Sequence, residues 1–315
     1  MKTYVPNYYP RFSCRAGACR HSCCIGWEID IDDDALEVYQ GTEGDFGCRL
    51  RENIGEEDGV HHFCLLPDER CPFLTPENLC DIYIHLGEEN LCRICADHPR
   101  YRNYLADRCE MGRGLCCEAA AELILGQREK TEWIPWEESS DEWEDSDAAE
   151  WEKEIFTRRE AILALIQNRD RSIEVRVNDL LEQWLDGAGI RFGRTYAEWR
   201  AFYGNLEQLD AEGWRGLLDS LGEENTAPVA VWELPFEQLL VYFVNRHLPD
   251  SSDDWDFRAR LAFALLSYEV IRGMFGAAEQ RFDVLCDIAR QYSAEIEYSE
   301  NNISALLDEL DGIIN

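Results

Sequence analysis

The stretch SCRAGACRHSCCIGW, residues 13–27, packs four cysteines into eleven positions, and two of them, Cys23 and Cys24, are adjacent. How these thiols are used decides what fold surrounds them: disulfides, a structural zinc, an iron–sulfur cluster and a nucleophilic thiol each impose a different one. The opening residues MKTYVPNYYPRF, 1–12, hold neither a continuous apolar run nor a small-residue cleavage site, so no secretory leader is expected. No apolar run approaches the about 20 residues that span a bilayer. The expectation is a cytoplasmic protein without membrane insertion. In a reducing compartment a cysteine-rich pattern binds metal or performs catalysis more often than it forms bridges.

Working outward, thirteen of the fourteen cysteines fall between Cys14 and Cys117, and Cys286 alone lies beyond. This asymmetry marks an N-terminal cysteine module over 1–130. After Cys48 and Cys64 comes CPFLTPENLCDIYIHLGEENLCRIC, residues 71–95, with Cys71, Cys80, Cys92 and Cys95 in one short segment. Together the clusters offer more thiols than a structural zinc takes. An iron–sulfur cluster takes four cysteines converging from different loops, which this arrangement can supply. The Cys92-x-x-Cys95 pair suits zinc, a cluster corner or a redox dithiol equally. Adjacent side chains diverge, so one of Cys23 and Cys24 is expected to ligate while the other packs or serves a second site, and Cys116 and Cys117 pose the same problem. Cys48, Cys64 and Cys109 read as small core residues.

Downstream, EESSDEWEDSDAAEWEKE, residues 137–154, is too acidic and too poor in apolar groups to order itself readily, and residues 131–150 are read as a linker or mobile loop. Beyond it the apolar spacing becomes helical. Trp151, Ile155, Ile162, Leu163 and Ile166 share one face, Ile173 to Trp184 form a second stripe that ends at Gly187, and PFEQLLVYFVNRHL, residues 235–248, runs from one proline to the next. Residues 255–275, 278–296 and 303–312 read the same way. The expected fold is mainly α: an irregular cysteine-rich metal-binding module followed by an all-α domain over 151–315.

A formal charge of -34 and a pI near 4.4 exclude binding to nucleic acid, which needs clustered Lys and Arg, and disfavour anionic membranes. They suit a basic partner, and serve solubility in any case.

The run from YYPRFSC through CCIGWEIDID, followed by CPFL, LCDIYIHLGEENLC and CADHPRY, resembles the flagellin lysine N-methylase family. It is also similar to a broader group of zinc- or iron-chelating proteins with a Cys-x2-Cys-x2-Cys-Cys signature, from which the spacing here departs. The specific motifs lie in residues 4–125. This resemblance implies transfer of methyl groups from S-adenosylmethionine to lysines of flagellin by a protein holding an iron–sulfur cluster of the 4Fe-4S type. It puts the metal candidates at Cys19, Cys23, Cys24, Cys71, Cys80, Cys92 and Cys95, of which four would bind the cluster.

Methyl transfer to an amine needs a neutral lysine, an in-line approach and a pocket that excludes water. A carboxylate, tyrosine or histidine must take the proton. The candidates are Tyr83, His98, Tyr101, Tyr242 and His247, with His85 and Arg246 beside them. His247, at a helix end, reads as a capping or packing residue ahead of a catalytic one, and the same holds for His98 before Pro99. DGAGI, residues 186–190, follows a helical stripe and not a strand, so it reads as an interhelical turn and leaves a Rossmann-like donor site unsupported. Two rivals remain: a zinc- or cluster-stabilised protein that binds a basic partner without chemistry, and an iron–sulfur redox protein.

Overall fold

A computed structural model describes residues 2–105, 107–138, 150–187, 193–222 and 231–314. It is mainly α, with two small sheets, and divides into two compact units. One comprises Met1–Phe12 and Tyr101–Asn315, the other Ser13–Arg100.

The smaller unit is largely irregular over 13–32 and 64–80, where most of its cysteines lie, and adds short helices and one hairpin. Helices α1 (Asp33–Gly41) and α2 (Gly44–Glu52) lead into the hairpin β2 (Ile54–Glu57) and β3 (Val60–Phe63), and short helices α3 (Asp81–Leu86) and α4 (Arg93–Asp97) follow. Asp32 caps α1 by accepting from Ala35 N at 3.2 Å. Tyr39, Leu50, Phe63, Phe73 and Ile82 form a compact core, against which Cys71 and Cys92 are buried.

The larger unit carries a four-stranded sheet in the order β4 (Arg100–Tyr104), β5 (Arg108–Arg113), β1 (Lys2–Pro6), β6 (Trp133–Glu138). β1 runs parallel to β5 and antiparallel to β6. This pairing revises two expectations. The expected break near 130 does not separate the units, because β1 at the chain start joins β5 and β6, and α5 (Glu118–Leu125) buries Ala120, Ala121, Ile124 and Leu125 in the same core as the later helices. The expected linker over 131–150 begins with a strand, since Trp133, Ile134 and Pro135 pair with Pro6, Val5 and Tyr4. Residues 139–149 of that linker lie outside the described residues.

Among the described residues beyond 150 only helices occur. They are α6 (Glu150–Ile166), α7 (Ile173–Trp184), α8 (Tyr196–Tyr203), α9 (Ala211–Ser220), α10 (Glu233–His247), α11 (Asp254–Ala277), α12 (Phe282–Tyr292) and α13 (Glu300–Ile314). The apolar stripes predict the positions of α6, α7 and α10 to α13; α7 ends at Trp184 with Leu185 as its cap, short of the expected Gly187, whose N–H still donates back to Leu181 O at 3.0 Å. Of the DGAGI turn, residues 188–190 lie outside the described residues. α10 and α11 are buried nearly all round, so they form the centre of the bundle. Buried ion pairs brace it: Arg176 Nη1 on α7 reaches Glu237 Oε2 on α10 at 2.6 Å, and Arg159 on α6 meets Glu110 on β5 at 2.6 and 2.7 Å, which ties helix to sheet. No helix among the described residues is long and apolar enough to cross a membrane.

Candidate functional site

In the smaller unit, backbone pairing gathers the cysteines. Ile25 pairs with Arg70, and Cys71 N donates to Cys24 O at 2.9 Å, which sets residue 24 beside residue 71. Leu74 pairs with Cys80, and Asp81 N donates to Phe73 O at 2.8 Å, which folds residue 80 back onto the same turn. Arg49 holds both ends of that turn, donating to Asp81 Oδ2 and to Pro72 O at 2.6 Å each, with its guanidinium over the Phe73 ring. Cys92 caps α4 and Cys95 lies on its first turn, so both thiols leave one helical turn. Asp32 accepts from Arg93 N at 2.6 Å and Tyr39 donates to Asn90 O at 2.8 Å, fixing that turn against α1.

Cys24, Cys71, Cys80, Cys92 and Cys95 thus pack on one apolar core. Burial pushes the Cys71 thiol up to about 11, and neighbouring Cys80 and Cys92 add to the rise. Burial likewise raises Cys80. A hydrogen bond from Cys95 holds Cys92 below the usual thiol range, and Cys95, the donor, is raised. All fourteen cysteines are free thiols. Among the described residues no three His, Cys, Asp or Glu side chains are set to hold a single metal ion. A cluster asks for something different, one thiolate on each of several irons, and five soft donors on an apolar floor fit that demand.

Of the other predicted ligands, Cys23 is exposed but its thiol hydrogen-bonds with that of Cys24, so the adjacent pair converges where divergence was expected, and Cys19 closes the short turn Ala16–Ala18. Cys109 is buried, as expected of a core residue, but Cys48 on α2 and Cys64 just past β3 are exposed. Tyr83 lies half exposed on α3, and His85 stacks on Phe46 with ring centroids 4.2 Å apart. His98 meets Trp27 edge-on, and its enclosed Nε2 has no hydrogen-bond partner. Burial lowers it to about 4.

The larger unit brings three of the predicted side chains together. The hydroxyl of Tyr242 donates to the Glu297 carboxylate at 3.0 and 3.1 Å, and accepts from Arg246 Nη1 at 2.6 Å and from Leu115 N at 3.2 Å. His247 Nε2 lies 2.7 Å from Glu297 Oε1, and Arg246 Nε lies 3.2 Å from the same oxygen. Tyr101 and Tyr298 place their rings 5.1 and 4.9 Å from the Arg246 guanidinium. Gly114 permits this approach, because a Cβ there would lie 2.3 Å from the Tyr298 hydroxyl and 3.0 Å from Arg246 Nη1.

Burial opposes the charge of Glu297, but the Arg246 guanidinium and the His247 hydrogen bond more than offset it, leaving the carboxyl below its ordinary range. Burial lowers His247 despite the carboxylate beside it, so the ring is neutral and donates its Nε2 proton to Glu297. A carboxylate held this low is a poor base. Its work here is to orient Tyr242, Arg246 and His247. The Tyr101 hydroxyl, wholly enclosed, has no hydrogen-bond partner.

Sequence reasoning missed Glu297. It lies in a π-helical turn, Ser293–Glu297, that continues α12 with all five residues buried. The signal available was two glutamates, Glu295 and Glu297, within an apolar stripe. A wide turn rotates residues off the regular helical face, and such turns are frequent at functional sites.

No family model matches the chain. Three curated relatives do. A lysine-N-methylase of Salmonella typhimurium (strain LT2) is 27% identical over 130 residues, covering 38% of this chain and 31% of the relative. The chain is similar to lysine N-methylases. One from Salmonella choleraesuis is 26% identical over 130 residues with the same coverage, and the flagellar biosynthetic protein FliU of Salmonella muenchen is 25% identical over 130 residues, 75% of its length. The match spans about a third of the length of the first two relatives. No solved structure matches. The resemblance read from the cysteine motifs therefore has curated counterparts of that name.

Proposed function

We propose that this protein is a protein-lysine N-methylase that takes its methyl group from S-adenosylmethionine, acts on flagellin and holds an iron–sulfur cluster in the unit Ser13–Arg100. The observation that carries the reading is the similarity to relatives named lysine-N-methylase over 130 residues. The naming of FliU as a flagellar biosynthetic protein supports a flagellar substrate.

Cys24, Cys71, Cys80, Cys92 and Cys95 are the residues that would hold the cluster, one more than the four it needs. When bound, such a group joins three chain segments and offers one-electron chemistry. Chain residues must supply the rest. The acceptor lysine has to shed its proton in a dry slot. Tyr101 is the group in the larger unit suited to meet the amine, because its buried hydroxyl has no other partner; burial holds that hydroxyl protonated, well above its ordinary range despite the Arg246 guanidinium, so it would orient the amine and not take its proton. Tyr242 and Glu297 position that arginine.

Anaerobically purified protein should contain iron and acid-labile sulfide, and should move labelled methyl groups from S-adenosylmethionine to flagellin lysines. The surplus negative charge should speed capture of a lysine-bearing surface, so transfer at low substrate should fall as salt rises through physiological strength. No transfer and no donor binding by iron-replete protein would sink the reading. Stoichiometric zinc without iron would leave a metal-stabilised binding protein in its place.

A further inference from the structure

One cleft of the larger unit lies apart from the Glu297 network. It encloses about 420 Å³ and is walled by one face of α7 and one face of α11. On α7, Glu174, Asn178 and Glu182 recur every four residues and so stand in a row. On α11, Tyr268, Glu269 and Arg272 stand opposite. Val177, Leu181 and Leu265 line the floor between them.

Two groups in this cleft lack the partner their chemistry asks for. Glu182 is exposed and has no cation against it among the described residues, whereas Glu269 holds Arg272 at 2.7 and 3.1 Å, with Glu174 3.9 Å from the same guanidinium. Three carboxylates against one guanidinium leave two negative charges in surplus. Tyr268 is 1% exposed, yet its hydroxyl makes no hydrogen bond with any described residue. Tyr268 is itself one of the residues that line the cleft, beside Glu269 and Arg272.

We infer that this cleft binds a primary alkylammonium group in its charged form, the chemistry shared by a lysine side chain and a free diamine. The ammonium has three donors and no acceptor. Glu182 and Glu269 take two of them and the Tyr268 oxygen the third, while the methylene stem lies along Val177, Leu181 and Leu265, as lysine stems do on apolar surface. Carboxylates beside an amine favour its protonated form, which is the form that cannot attack a methyl donor. The cleft therefore holds a lysine without reacting it. It is a docking slot, and it stands whether or not the chain transfers methyl groups.

The test is calorimetric titration of the full chain with Nα-acetyl-lysine methylamide, with 1,5-diaminopentane, and with the equally long but uncharged Nα-acetyl-norleucine methylamide. Binding of the lysine derivative and not of the norleucine one is expected. Tyr268→Phe should weaken it about tenfold and Glu182→Gln about fivefold, as for loss of a charge-assisted hydrogen bond and of a half-exposed ion pair. Glu182 is exposed and unpaired, so its variant keeps the fold even if Tyr268→Phe does not. Diamine binding with the same sensitivity to both variants, without lysine binding, assigns the slot to a free diamine. Affinity for neither amine, or affinity indifferent to Glu182→Gln, overturns the inference. Methyl-transfer activity is read separately, so its failure would not be mistaken for failure of the slot.

Discussion

The two units hold themselves together by different means. Ser13–Arg100 builds on helices of five to nine residues, too short to stand alone, around a core that includes buried cysteine side chains. The larger unit centres on α11, 24 residues long and buried on nearly every side, and uses buried ion pairs to join helix to helix and helix to sheet. The difference teaches where each depends on something outside ordinary packing. In the small unit five thiols crowd one apolar floor, where their charged forms repel one another, and a bound metal cluster would turn that cost into a staple. The large unit has no such need.

The sharpest way to break the comparison is to remove the iron that the proposed cluster would hold. Iron chelation should abolish amide-exchange protection over 13–100 and leave α10 and α11 protected, because metal binding and folding are coupled where the core is small. Equal loss in both units, or in neither, would show that they do not differ in this way.

Next in size is the ion-pair network. Glu237→Gln removes the fully buried carboxylate that Arg169 and Arg176 share but leaves Arg176 its contacts with Glu233 and the Ile166 carbonyl, so the cost is about 3 kcal/mol, the lower end for a broken buried pair. Denaturant unfolding of the large unit should shift by that amount, while iron content stays unchanged.

A third test uses pH. His247 is lowered in the folded state, so the unfolded chain binds more protons below about pH 6.5 and stability falls as pH drops through that value. Glu297 is also lowered; its contribution is complete above the unfolded carboxyl value of about 4.3 and is lost as pH falls through the lower folded one. The melting temperature of the large unit should therefore decline in two stages on acidification, and His247→Gln should remove the first. An unchanged decline in that variant would exclude the neutral histidine as its source.

Smallest are the effects at Cys48 and Cys64, both exposed. Serine at either should move stability by less than about 0.5 kcal/mol and leave iron content intact, in contrast with serine at Cys71 or Cys92. Loss of iron at Cys48→Ser or Cys64→Ser would enlarge the ligand set beyond the five gathered thiols.

Local pattern carried much of this. The stripes that become α6, α7 and α10 to α13, the cysteine density of the small unit, and Tyr101, Tyr242 and His247 as residues of interest are all legible from spacing, because helical periodicity and thiol chemistry are properties of short segments. Tertiary structure alone decided what distant segments do. β1 pairs with strands more than a hundred residues later, so the chain start belongs with the helices and the expected boundary near 130 does not hold. Which five thiols meet follows from the pairing of residue 24 with 71 and of 74 with 80. Glu297 came to the centre of the tyrosine and arginine network because a π turn rotated it inward. Such contacts depend on chain closure over long separations, for which a local pattern of residues carries no signal.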